Sequence, residues 1–212
     1  MKIRHSAGLA LGCALALGLW IGAAAAAATD EPSRSPLGIA SGRVSIAGTS
    51  NIHAYTATTT AVRVRRLQIA EGVSGPNMWD GIVKPGAVEA FEVAIPAATL
   101  SSPKDGLDKN MHKALKVTEH PDIVFRLLRF EPRPGAPGAL RAIGVLQIAG
   151  VERNVSLDVT TERTDVTLTV QGALELQMTD YGIKPPTAML GMLKTDPKVT
   201  VTFETVLTTP LT

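Results

Sequence analysis

Three short stretches hold the side chains that could do chemistry. Thr49-Ser50-Asn51-Ile52-His53 sets hydroxyls, an amide and an imidazole side by side. Met111-His112 and His120-Pro121 bracket a second polar region. Asp180-Tyr181-Gly182-Ile183-Lys184-Pro185-Pro186 puts an acid and a phenol next to a proline-stiffened turn. If the fold brought Asp180 and His53 together, they could serve as an acid/base pair. Each also has an ordinary structural use: Asp180 can cap a turn, and His53 can hydrogen-bond backbone at a strand end. Zinc can use three histidines and a water. His53, His112 and His120 show no ligand spacing such as a pair four apart on one helix. Ser50 lies near His53 without the glycines of a nucleophile elbow.

The first residues read as a targeting segment. Lys2, Arg4 and His5 precede an apolar run from Leu9 to Ile21, and Ala23 to Ala28 are small residues suited to signal peptidase. The expectation is a signal peptide over 1–28, cleaved near Ala28, giving a periplasmic or secreted chain. Removing it lowers Lys+Arg from 21 to 19 and leaves Asp+Glu at 19, so the mature net charge is about zero. No basic field remains to argue for nucleic acid. The only cysteine, Cys13, leaves with the leader. That removes disulfides, thiol catalysis and cysteine-based zinc sites, and the mature chain must be held by its own core.

The polar stretches need a scaffold, and the scaffold reads as β. Residues 29–40, with Pro32 and Pro36, are expected as a flexible lead-in to a domain spanning 41–212. Strands are predicted over Arg43–Thr49, Thr58–Ala70, Val88–Ile95, Asp122–Glu131, Leu140–Ala149 and Lys198–Leu207. Between the last two come two more with strict alternation: Val155, Leu157 and Val159 share one face, as do Leu168, Val170, Gly172, Leu174 and Leu176. In Thr58–Ala70 the apolar phase slips at Arg65-Arg66, where a β-bulge would absorb it. Gly150 has almost no sequence around it for a connection, which marks a tight hairpin. Strands joined so closely are antiparallel. Asp105–Lys116 breaks the pattern: Leu107, Met111, Ala114 and Leu115 recur at helical spacing, with an acid at the start and lysines near the end. The predicted fold class is all-β: an extended eight-stranded antiparallel lipocalin-like barrel with one short inserted helix. Such a barrel is either filled or holds one ligand.

The residues also resemble a known family. Gly48-Thr49-Ser50-Asn51-Ile52-His53 after the first strand is similar to the opening signature of the YceI-like family. So are Met111-His112 through Pro121-Asp122-Ile123-Val124-Phe125, and Gly144 through Val155. Met178-Thr179-Asp180-Tyr181-Gly182-Ile183, followed by an alternating last strand, completes the resemblance, which runs in order from about Arg43 to Leu207. Two departures stand out. Tyr55 sits where the family commonly has Trp, and Ser74–Pro85, with Trp79, follows no family pattern.

The resemblance implies a lipocalin-like barrel in a periplasmic or secreted protein. Some members bind polyisoprenoids or isoprenoid quinones inside the barrel, often as dimers, and no catalytic activity belongs to the family as a whole. The expected function is therefore binding or carriage of an isoprenoid lipid or quinone, with no other cofactor and no metal. Transient membrane contact for lipid exchange and a homodimer are the expected associations. Phe91, Phe125, Leu146 and Phe203 are candidate lumen contacts. His53, His112, Asp180 and Tyr181 are candidates for the head group, and Tyr55 and Met111 are further ligand contacts. Two rivals stand beside this reading. One is a quinone-linked enzyme or electron-transfer accessory using His53 and Asp180. The other is a filled barrel acting as an interaction module through the helix or the Trp79 loop.

Overall fold

Alternation along the chain becomes a single antiparallel sheet in the computed structural model, which describes residues 37–73, 78–136, 138–188 and 192–208. The expected signal peptide over 1–28 lies outside the described residues. In chain order the strands are β1 (Gly38–Ser50), β2 (Ala54–Thr59), β3 (Arg63–Ile69), β4 (Val88–Pro96), β5 (Asp122–Pro132), β6 (Ala139–Ile148), β7 (Val151–Arg163), β8 (Thr167–Gln177), β9 (Thr187–Ala188) and β10 (Leu193–Thr208). Among the described residues two α-helices interrupt them, α1 (Met78–Ile82) and α2 (Asp105–Ala114), along with short 3-10 turns over Ala97–Thr99 and Met178–Tyr181. The path through the sheet is β2-β1-β10-β8-β7-β6-β5-β4-β3, with β9 pairing off it onto β10. Every ladder is antiparallel.

The fold class is as predicted, but the strand count differs: nine strands lie on the path where eight were expected. The extra one is β2. It pairs with β1, whereas β3 pairs with β4, so what read as one strand over Thr58–Ala70 serves both edges of the sheet. Thr59 makes the break. Its buried hydroxyl accepts from the Ala61 amide at 3.1 Å and donates to Thr99 Oγ1 at 2.6 Å, and Thr99 in turn donates to the Pro96 carbonyl at 2.7 Å. Backbone bonds between Thr58 and Ser101, at 2.8 and 3.1 Å, stitch the β2 edge to the segment following β4.

Other local expectations hold. The phase slip at Arg65-Arg66 is a register shift between Val64 and Arg66. Ile148 pairs with Val151, and both connecting residues have positive φ, Ala149 at 50° and Gly150 at 82°, which fits a two-residue type I′ turn. The lead-in ends earlier than expected: Leu37 is buried, and Gly38 already pairs with Thr208 in the β1–β10 ladder. A bulge between Leu127 and Arg129 was not foreseen. It leaves Leu128 59% exposed and turns Phe130 inward beside Ala142, on the same side as Phe125 and Leu127.

The inner face is aliphatic and packs in three clusters. At one end Leu100, Leu115, Ile123, Ile148, Tyr181 and Ile183 pack beneath α2. Leu140, Ala142, Leu157 and Val159 form a patch of wall in the middle. At the other end Met78, Trp79 and Ile82 of α1 pack on Leu37, Leu168 and Leu207, so the Trp79 segment plugs that end of the barrel. Asp80 on the plug pairs with Arg163 at the end of β7. The Arg163 hydrogen bond holds the Asp80 carboxyl below its ordinary range, and the same contact raises Arg163. Cross-strand pairs such as Arg126–Glu152 and Lys198–Glu175 lie on the exposed outer face, where they add little to stability.

Candidate functional site

The space under α2 is not filled. Gly106, Leu107, Asn110, Met111 and Ala114 form an inner stripe of this helix, and they border a cavity of about 420 Å³. None of the helix residues is fully buried, because the face that should meet a packed core meets a void. The walls are Val44 and Ile46 of β1, Ile95 of β4, Ile123 of β5, Leu146 and Ile148 of β6, and Val199 and Val201 of β10. Polar residues gather at the rim: Ser50, His53, Lys104, Asn110 and Gln177. His53, Lys104, Gly106 and Asn110 are exposed while bordering the cavity, so the opening lies between the β1–β2 turn and the first half of α2.

Three contacts hold α2 in place over this space. The Ser102 amide donates to Asp108 Oδ1 at 2.8 Å. His112 Nε2 donates to the Leu100 carbonyl at 2.8 Å. Leu115, just past the helix, is buried in the cluster below. Replacing His112 by Phe would leave the carbonyl of fully buried Leu100 without this donor. An unsatisfied buried acceptor costs about 1–3 kcal/mol, so urea unfolding of His112→Phe is expected to show a loss of that size. Amide exchange along α2 should rise with it.

A second cavity, of about 200 Å³, continues below the first and is lined almost entirely by apolar side chains. Phe91, Phe125, Phe130 and Phe203 border it, and Ile82 and Val83 of the plug segment close it. Two glycines make room for its rings. A Cβ on Gly144 would clash with the Arg126 carbonyl oxygen and meet Phe125 ring carbons at 2.6 Å, and one on Gly172 would meet the Asp158 carbonyl oxygen and a Phe203 ring carbon, each at 2.8 Å. Each ring therefore packs against a residue with no side chain. Tyr55 is seated in the same way over Gly48 in the upper cavity.

The predicted site residues divide cleanly. His53, Tyr55, Met111, Leu146 and Tyr181 border the upper cavity. Phe91, Phe125, Leu146 and Phe203 border the lower one. His112 and Asp180 border neither. His112 is turned back to the Leu100 carbonyl, and Asp180 is exposed on the turn that carries Tyr181. That turn is fixed by Gly182, at φ 65°, and by the Ile183 amide bonding the Met178 carbonyl, which buries Tyr181 and Ile183 and leaves Asp180 facing out. His53 and Asp180 therefore do not share a cavity, and an acid/base pair between them has no geometric basis.

The two tyrosines differ. Burial, then Asp196 nearby, raises the Tyr55 hydroxyl above its ordinary range. Burial likewise raises Tyr181, partly offset by Arg153; its ring is part of the wall and its hydroxyl is enclosed without a hydrogen-bond partner. Among the described residues no three His, Cys, Asp or Glu side chains cluster as a metal site would require. Lys104 and Asn110 at the rim and the α1 plug escaped the sequence reading. The glycines facing Phe125 and Phe203 were its one overlooked signal.

Comparison with known proteins agrees with this architecture. The sequence model of the YceI-like domain matches residues 41–207. No curated protein sequence matches. Among solved structures the fold is similar to BcnA of Burkholderia cenocepacia, at 14% identity and TM-score 0.60, covering 79% of this chain and 96% of that one. It is also similar to a polyisoprenoid binding domain from Saccharophagus degradans implicated in plant cell wall breakdown, at 12% identity and TM-score 0.60, covering 84% of this chain and all of that one. A YceI protein of Campylobacter jejuni matches at 13% identity and TM-score 0.52, covering 74% of this chain and 82% of that one. With the family match spanning nearly all of the described sheet, the chain belongs to the YceI-like family.

Proposed function

We propose that this protein binds one apolar isoprenoid lipid inside the barrel, a polyprenol, polyprenyl phosphate or isoprenoid quinone, and carries it in the periplasm or outside the cell. The observation that carries the reading is the upper cavity: an open, almost wholly apolar space beneath an amphipathic helix, with exposed polar side chains gathered at the rim. The tail would lie along Ile46, Ile95, Leu146 and Val201. The head group would stay at the opening beside His53, Lys104 and Asn110. Burying roughly 400 Å² of hydrocarbon supplies about 10 kcal/mol gross, before the costs of association. Binding at that strength needs no reactive side chain, so the reading is a binding protein and not an enzyme. The polyisoprenoid binding domain of similar fold supports it.

Such a ligand must enter without crossing water, and the rim would offer a surface for transient membrane contact. Ile52 is 60% exposed and Met192 is 66% exposed. Asn51 holds them side by side: its side chain donates to the Met192 carbonyl at 2.8 Å and accepts from the Lys194 amide at 2.8 Å. Two exposed apolar side chains beside a cavity mouth suit shallow insertion into a bilayer. The function is tested by extracting lipid from protein purified from its own host and by titrating the emptied protein with a polyprenol. Recovery of an isoprenoid, or saturable uptake of the added one, is the expected result. An emptied, folded protein that takes up neither a polyprenol nor a quinone would overturn the reading.

A further inference from the structure

The two cavities meet at four side chains that border both. Val44 comes from β1, Ile95 from β4, Leu146 from β6 and Val201 from β10. These strands are spread around the curled sheet, so the four make a waist and not one bulging wall. All are aliphatic. Below the waist the space is kept open by construction, since Phe125 and Phe203 lie over Gly144 and Gly172 where larger residues would push the rings inward. A barrel interior serving stability alone would be packed to crystal-like density. Here the lower cavity of about 200 Å³ stays open and ends at Ile82 and Val83 of the plug.

We infer that the waist and the plug together gauge the length of a linear isoprenoid tail. A short tail occupies the upper cavity alone. A longer one threads between Val44, Ile95, Leu146 and Val201 into the lower cavity and gains contacts there until its end meets the plug. The waist side chains therefore determine whether extra isoprene units add affinity, and the plug sets the length beyond which they add none. This rests on the binding function proposed above and adds to it a preferred ligand length.

The test uses the full chain and a ladder of all-trans prenyl alcohols of increasing length, with affinities read by native mass spectrometry. Leu146→Phe and Val201→Phe narrow the waist from different strands; both residues are only partly buried, with the cavities in front of them. Affinity of the unaltered protein is expected to climb with chain length and then level off. Both variants should level off at a shorter chain length than the unaltered protein, so that their deficit grows by at least about tenfold from the shortest alcohols to those long enough to pass the waist, because each isoprene unit denied burial forfeits several buried carbons. Length dependence that runs parallel in all three proteins, or a uniform loss at every length in both variants, would overturn the gauge. If the unaltered protein binds no prenyl alcohol of any length, the proposed function falls and the gauge with it.

Discussion

Leu100→Ala is expected to destabilise the protein by about 3–5 kcal/mol, the upper range for a buried leucine truncated to alanine. Leu100 is fully buried, at 0% exposure. It follows the turn Ala97–Thr99, its amide bonds the Ala97 carbonyl at 3.3 Å, and its side chain packs in the cluster with Leu115, Ile123 and Tyr181. Neighbouring Ser101 closes the β2 edge through Thr58, and the Leu100 carbonyl anchors α2 through His112. The substitution keeps those backbone bonds and removes only the packing, so the lost methyl groups and the void they leave account for the effect. For a domain of this size the thermal midpoint should fall by roughly 6–20 °C. Calorimetry on ligand-free protein measures it, and a change of under about 1 kcal/mol would mean that this end of the barrel is not the packed structure described. Because the new void adjoins the upper cavity, saturating ligand should restore part of the loss.

Ala114→Trp is expected to act in the opposite sense on stability and strongly on binding. Ala114 ends α2 and faces the cavity. An indole there buries roughly 150–250 Å² in space that the ligand would otherwise occupy. At about 25 cal/mol per Å², the ligand forfeits roughly 4–6 kcal/mol of contact. Affinity for a polyprenol should therefore weaken by at least about a hundredfold, after allowance for tail rearrangement. The thermal midpoint of the empty protein should hold or rise, because a void is filled. The two readouts separate blockage from damage: weaker binding with a lowered midpoint would indicate misfolding, and unchanged affinity would place the ligand somewhere other than under α2.

Most of the sheet was legible because a half-buried antiparallel strand records its burial with a period of two. β7 and β8 follow that rule at their most buried positions, Leu157 and Val159, then Leu168 and Leu176. The slip at Arg65-Arg66 and the helix over Asp105–Ala114 were readable for the same reason, since each alters a local period. What was not readable depends on distant partners. The break after Thr59 needs Thr99, and the turning of His112 away from the cavity needs the Leu100 carbonyl. The plug helix has only five residues, too few to show a helical period, and it is buried by Leu37, Leu168 and Leu207 from remote parts of the chain. The inward turn of Phe130 rests on a bulge at Leu128 that interrupts the alternation without any glycine or proline to mark it. For the site, the rim elements Thr49–His53 and Met178–Ile183 were found as motifs, but which of their side chains face inward is decided by the turns. Gly182 buries Tyr181 and leaves Asp180 out.

The central claim is that the space beneath α2 holds one isoprenoid lipid. Native mass spectrometry of the purified chain, mixed with a single polyprenol and compared with Ala114→Trp, addresses it most directly. The expected spectrum shows one polyprenol on each folded chain, present at concentrations where the Ala114→Trp protein carries none. A folded protein that brings no lipid from its host and takes up neither polyprenol nor quinone, or that binds equally well with the cavity blocked, would contradict it.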